Sequence, residues 1–320
     1  CDTAHQLTNK LLSKVCYSTG LHRTTAAFHC GEKYANQQDL SKMIRVVFNQ
    51  KGGVGKSSIT CNLAAISAKM GYSTLVIDLD VQGNSSMYLG YDIHSEEALT
   101  TGTSVANIFK QRRGLLSTKQ PPDDYVLATE HENLFLLPAS IELETMEKDL
   151  ESRYKIYQLR KALEQLDQHY DRIYIDTAPN FNFYSKSALI ATNTLLIPFD
   201  CDSFSKQALY NLIDNMMELK EDHNEDLRIE GIVINQFNAQ ASLPAILVDE
   251  LKAEEMPVLD CYLGSSVKMK ESHYRQTPLV YMARSHKLTQ QFIALFEQIE
   301  QLPPGSFQLK DTAPQTETAS

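Results

Sequence analysis

The sequence predicts an α/β protein: a doubly wound, mostly parallel sheet with helices on both faces. Three observations carry that reading. Short β-branched runs alternate with helical patterns along most of the chain. The strand runs are apolar almost throughout, as in Arg172-Ile173-Tyr174-Ile175, which fits parallel strands buried on both faces better than a half-exposed sheet. A glycine-rich loop stands where the first strand passes into the first helix, a junction at which open α/β sheets collect ligands.

Residues 1–42 show no sustained period of 2 or 3.6 and hold three of the six Cys and three of the nine His. They read as an upstream or non-native extension, with Leu7–Val15 as a rival short interaction helix. The ordered core is expected over 43–302. Strands are predicted at 44–48, 74–78, 134–137, 172–176, 194–198 and 230–234, with a further candidate at 258–262 and a candidate edge strand at 279–281. Helices are predicted at 56–70, 141–149, 153–169, 185–191, 206–221, 243–253 and 287–301. Residues 90–130 read as an irregular excursion between the second and third strands. Leu302-Pro303-Pro304-Gly305 breaks the last helical pattern, and the polar segment 303–320 is expected to be a disordered tail.

Composition narrows the function. Of 320 residues, 42% are hydrophobic and 22% charged, which excludes wholesale disorder, and no apolar run reaches the ~18–20 residues that cross a bilayer. A net charge of −10 argues against a whole surface that coats nucleic acid but permits a local basic patch. The cysteines include no C-x-x-C pair and no zinc-ligand spacing, so they read as incidental thiols.

The chemistry is concentrated in Lys51-Gly52-Gly53-Val54-Gly55-Lys56-Ser57-Ser58. Gly52, Gly53 and Gly55 let the backbone turn its N–H groups onto phosphate oxygens, and the following helix directs its positive end at the same anion. Lys56 supplies charge for the β- and γ-phosphates, and the Ser57 hydroxyl is the expected magnesium ligand. Gln50 stands where the usual phosphate-loop pattern has its first glycine, and an additional lysine stands at 51. This loop resembles that of the ParA/MinD group of deviant Walker ATPases, within the P-loop NTPase fold. Three further segments agree with the group's motifs: Asp78-Leu79-Asp80-Val81-Gln82-Gly83-Asn84, Ile173-Tyr174-Ile175-Asp176-Thr177-Ala178-Pro179, and Lys268-Met269-Lys270-Glu271-Ser272 with Thr277-Pro278-Leu279-Val280. Val81 departs from the usual Pro, and Thr177-Ala178-Pro179 from the commoner Cys-Pro-Pro.

The resemblance implies ATP and Mg2+ as cofactors, bound by Lys51, Gly52, Gly53, Val54, Gly55, Lys56, Ser57 and Ser58, with Asn235 against adenine. It implies that Lys51 reaches across a homodimer formed with ATP, that Asp80 orients the attacking water, and that Asp176 joins Ser57 as an outer-shell metal ligand. Asp78 either shares that network or holds the loop by hydrogen bonds. Partners implied are non-specific DNA and a ParB-like or cargo-adaptor activator, with no membrane, in a cytoplasmic, nucleoid-associated protein. Lys268, Lys270, Arg275, Arg284 and Lys287 are the candidate DNA contacts, a local reversal of charge in an acidic chain. Gln240 stands where some relatives carry arginine. The alternatives are a MinD-like membrane-surface ATPase and a metabolic P-loop ATPase.

Overall fold

The computed structural model describes residues 42–110, 120–202 and 205–307. Seven strands form one sheet: β1 (Met43–Val47), β2 (Thr74–Asp78), β3 (Leu127–Ala128), β4 (Leu134–Leu137), β5 (Arg172–Asp176), β6 (Thr194–Asp200) and β7 (Arg228–Asn235), in the order β3-β4-β2-β5-β1-β6-β7. All pairings are parallel except that of the two-residue edge strand β3 with β4. The neighbouring central strands β2 and β5 are buried along their whole length, as their largely apolar runs required. Two core layers follow, one on each face. The first packs Val46, Ile77, Ile175 and Ile197 under α6 (Gln158–Leu166), α7 (Phe183–Ala191) and α8 (Ser205–His223). The second packs Val47, Val76 and Leu196 under α1 (Lys56–Lys69) and α12 (Lys287–Ile299).

Several predicted elements change. The helix expected over 153–169 spans only Gln158–Leu166, because the preceding helix, α5, runs on over Glu142–Ser152 and Tyr154 then turns left-handed (φ 54°). No strand forms at 258–262. That segment follows the outer edge of β7 through separate bonds, Pro257 carbonyl to the Ile232 N–H (2.8 Å) and Leu259 N–H to the Ile232 carbonyl (3.0 Å). Residues 279–281 belong to a helical turn, α11 (Leu279–Met282), started by Pro278 and capped by the Asn62 side chain on the Leu279 N–H (2.9 Å). Within the excursion 90–130, α3 (Glu96–Thr101) and α4 (Ala106–Phe109) form, and Val105, Ile108 and Phe109 enter the core. The remaining helices are α2 (Asn84–Tyr88), α9 (Ser242–Ala253) and α10 (Val267–Tyr274).

Residues 303–307 do not begin a tail. Glu297 accepts the N–H groups of Gly305 (3.0 Å) and Phe307 (2.9 Å), and Phe307 packs on the second core layer. Residues 1–41 and 308–320, with the candidate helix Leu7–Val15, lie outside the described residues. At the end of the sheet away from the glycine loop, fully buried Arg45 on β1 bonds Glu230 (2.6 Å) and Glu300 (3.2 Å). Arg172 on β5 shares Glu300 (2.9 Å). Two guanidiniums buried in the sheet are thereby paired by carboxylates from β7 and from the residue capping α12.

Candidate functional site

The parallel register sets Val47 and Asp78 beside Asp176, so the glycine loop leaving β1 and the carboxylates closing β2 and β5 meet at the carboxyl edge of the sheet. Gly53 and Gly55 take left-handed conformations (φ 77° and 92°). A side chain at Gly55 would run into the Asn235 amide, so this position is closed to anything larger. Three strand ends brace the loop. Asn49 donates to the Pro198 carbonyl of β6 (2.7 Å) and accepts the Lys51 N–H (2.9 Å). Asn235 donates to the Val54 carbonyl (2.8 Å) and Gln236 to that of Gly53 (3.0 Å). Thr177 donates to the Val47 carbonyl (2.9 Å). Asn235, expected against adenine, is placed where its amide shapes the loop.

Lys56 is buried, with its ammonium on the Lys51 carbonyl (3.0 Å). Burial lowers its pKa, against the raising fields of Asp176 and Asp80. A phosphate here would meet a cation with few competing partners. Asp176 accepts the Ser85 hydroxyl through Oδ2 (2.7 Å), whereas its buried Oδ1 has no partner. Burial raises the Asp176 pKa, with Ser57 close enough to oppose the shift. Burial likewise raises that of Asp78, reinforced by the neighbouring Asp176 charge. A magnesium ion fits this donor set: the Ser57 hydroxyl and the orphaned Asp176 oxygen lie together, and a hard cation would satisfy both. Such an ion would neutralise phosphate charge beside Lys56.

Asp80, 6% exposed, accepts the Gln82 N–H through Oδ1 (3.0 Å). Asp78 does the holding: Oδ1 accepts the Asp80 N–H (3.1 Å), and Oδ2 accepts the N–H (2.8 Å) and hydroxyl (2.7 Å) of Ser86 on α2. Lys51 is tied within its own chain. It bonds Asp200 (2.6 Å), the Asp202 carboxylate and the Ser205 hydroxyl (3.0 Å). Burial works against its charge, but the bonds to Asp200 and Asp202 raise its pKa.

Of the candidate DNA contacts, Lys268, Lys270 and Lys287 flank the 264–266 loop, and the five do not form one uniform patch. Lys268 pairs with Glu271 (2.5 Å). Lys270 lines a cavity with Gly53, Gly55 and Ser58, and Lys287 lines an adjoining hollow with Gln240. Arg275 and Arg284 are exposed. Asn49, Gln236, Asp200 and Asp202 contribute to the site yet carry no motif of their own. An Asn immediately before the loop was their only signal in the sequence. Among the described residues, no helix is long and apolar enough to cross a membrane, and α12 buries Phe292, Leu295 and Phe296 against the sheet.

A family model described as "AAA domain" matches residues 41–229. The sporulation initiation inhibitor protein Soj of Bacillus subtilis is 29% identical over 243 residues, covering 75% of this chain and 91% of that protein. Apo McdA of Cyanothece superposes with a TM-score of 0.70 at 19% identity over 80% of this chain and 98% of its own. Cobyrinic acid a,c-diamide synthase of Mycobacterium smegmatis, with a bound ATP analogue and magnesium, gives 0.67 at 23% identity, covering 80% and 95%.

Proposed function

The chain belongs to the AAA-domain ATPases of the ParA/MinD deviant Walker group, and from that premise we propose that it is an ATP-switched, dimerising partition or positioning ATPase. It binds ATP with magnesium, pairs with a second copy, binds DNA without sequence preference in that state, and returns to the monomer after hydrolysis. A ParB-like or cargo-adaptor protein accelerates the last step. Its place is the cytoplasm, on the nucleoid. The carrying observation is the convergence of Lys56, the orphaned Asp176 oxygen and Asp80 on a loop preceded by Lys51. One cation beside the loop and a second delivered by the partner's Lys51 would both stabilise charge developing on a γ-phosphoryl group.

The likeness to a diamide synthase leaves a metabolic role open on fold alone. Relatedness to a Soj protein over nearly its whole length favours the switch. Burial of α12 favours it over a membrane-surface role for that helix.

Each residue takes the following role in this reading. Lys56 anchors the phosphates and Ser57 with Asp176 holds the metal. Asp80, fixed by Asp78, orients the water, and Lys51 must leave Asp200 and Asp202 to reach a partner's nucleotide. Light scattering with ATP tests the switch. Asp80→Ala should accumulate as a dimer with hydrolysis suppressed ~100-fold or more, and Lys56→Ala should neither bind ATP nor dimerise. A monomeric Asp80→Ala in saturating ATP would count against the reading.

A further inference from the structure

Helix α10 carries side chains that point in two directions. On its inner side Met269 and Lys270 line the cavity whose opposite wall is Gly53, Gly55 and Ser58. On its outer side Val267 and Tyr274 are 71% and 91% exposed. Ser272 is the only residue of this helix that is fully buried, and Met269 packs half-buried on the second core layer. Polar and ring contacts add to that anchor. His273 Nε2 lies 2.9 Å from Ser58 Oγ, on the phosphate loop's helix. The His273 ring stacks on Tyr88 at 4.2 Å, and the Tyr88 hydroxyl lies 2.5 Å from Ser272 Oγ. Tyr88 closes α2, which begins directly after the Asp80–Gly83 turn. One short helix is thus bonded both to the phosphate loop and to the segment that carries Asp80.

We propose that His273 is a positioning residue that transmits the state of the phosphate loop, through Ser58, to helix α10 and the basic side chains beside it. The physical basis is the single proton of a hydroxyl. When Ser58 gives that proton to a phosphate oxygen, its bond to His273 survives only if Nε2 is the donor, and otherwise it breaks. The helix then resets about the Ser272–Tyr88 bond. Lys268, Lys270 and Arg275 move with it, so nucleotide occupancy changes the basic surface before any second copy arrives. This inference rests on the reading of the loop as an ATP site.

Amide hydrogen exchange of the full chain, alone and with Mg-ATP, tests it alongside a direct ATP titration. In the natural sequence, ATP should change exchange across 267–275 by about fivefold or more, the lower end of coupled-site responses. His273→Leu keeps bulk on the Tyr88 ring but removes the bond. It should still bind ATP and still protect α1, while the response of 267–275 falls below about twofold. His273→Gln, whose amide reaches as far as Nε2, should restore the response. His273 is exposed, so these replacements leave the core intact. A nucleotide response that persists in His273→Leu, or is missing in the natural sequence while ATP binds, overturns the proposal. Absence of ATP binding in the titration overturns the functional reading and the proposal together.

Discussion

Lys51 holds two carboxylates of its own chain, and that pairing sets what its removal would do. Its ammonium satisfies Asp200 and Asp202, both partly exposed, so the cost to stability of losing it is modest, about 0–1 kcal/mol. Lys51→Ala should therefore fold and bind ATP but fail to dimerise, and an ATP-dependent dimer of that variant in light scattering would exclude a role across the interface. The Asp78–Asp176 pair supports a second prediction. Burial raises both pKa values, reinforced by the Asp176 charge at Asp78 and by the Asp80 charge at Asp176, so the folded state binds more protons than the unfolded chain. Stability is then present at low pH and declines as pH climbs from the ordinary carboxylate range toward the raised values. The nucleotide-free protein should melt at a higher temperature at pH 6 than at pH 8, its stability falling by at most about 1.4 kcal/mol per pH unit for one group. Asp78→Asn should flatten that dependence, and an unchanged slope in calorimetry would remove Asp78 as its source. Lys56, Ser57, Asp80 and Asp176 could be singled out in the sequence because each lies within a contiguous motif. Asn49, Asp200 and His273 were not, because their partners lie far along the chain and only folding brings them together.

Among the elements, the strands buried on both faces were readable from apolar runs, and besides the shortened helix before β5 and the helices within 90–130, the misreadings fall at the β7 edge and in the segment after α10. The stretch 258–262 has strand-like composition, but after Leu259 the Cys261 N–H turns to the Gln298 side chain and the next bond to β7 comes only at Leu263. Its side chains still matter. Leu259 fills the space over Gly231 so closely that a Cβ there would overlap its branched end. Gly231→Ala should cost about 1–3 kcal/mol in urea unfolding through overpacking. Combining it with Leu259→Ala should recover part of that loss, and strict additivity of the two changes would show that they do not touch. The 279–281 segment was apolar enough for a strand, yet Pro278 and the Asn62 cap turn it into a helix. The cap comes from a residue some two hundred positions earlier, which no local pattern contains.

For the whole molecule, the decisive number is an acidic net charge of −10 carrying a basic segment near its end. A single copy should hold DNA weakly, and pairing two copies would raise the effective concentration of the second segment. Each phosphate neutralised contributes about −0.9 to the slope of log affinity against log salt. Lys268→Glu with Arg284→Glu should weaken binding to random-sequence duplex and flatten that slope while the ATP-driven dimer survives. Gel shifts at several salt concentrations with ATP and with ADP measure this, and identical slopes for the two proteins would place the DNA surface elsewhere.

The buried guanidiniums at the opposite end of the sheet have a practical consequence for handling the molecule. Glu300 caps the last helix and neutralises Arg45 and Arg172 together. A protease cut or stop codon just before it would leave Arg45 with Glu230 alone and take from Arg172 its Glu300 carboxylate, at a cost of about 3–5 kcal/mol for breaking such a pair. A fluorescent or affinity tag fused directly after Ile299 should therefore yield insoluble protein. The same tag joined beyond Phe307 preserves both carboxylate contacts of Glu297 as well, and should leave the sheet end sealed.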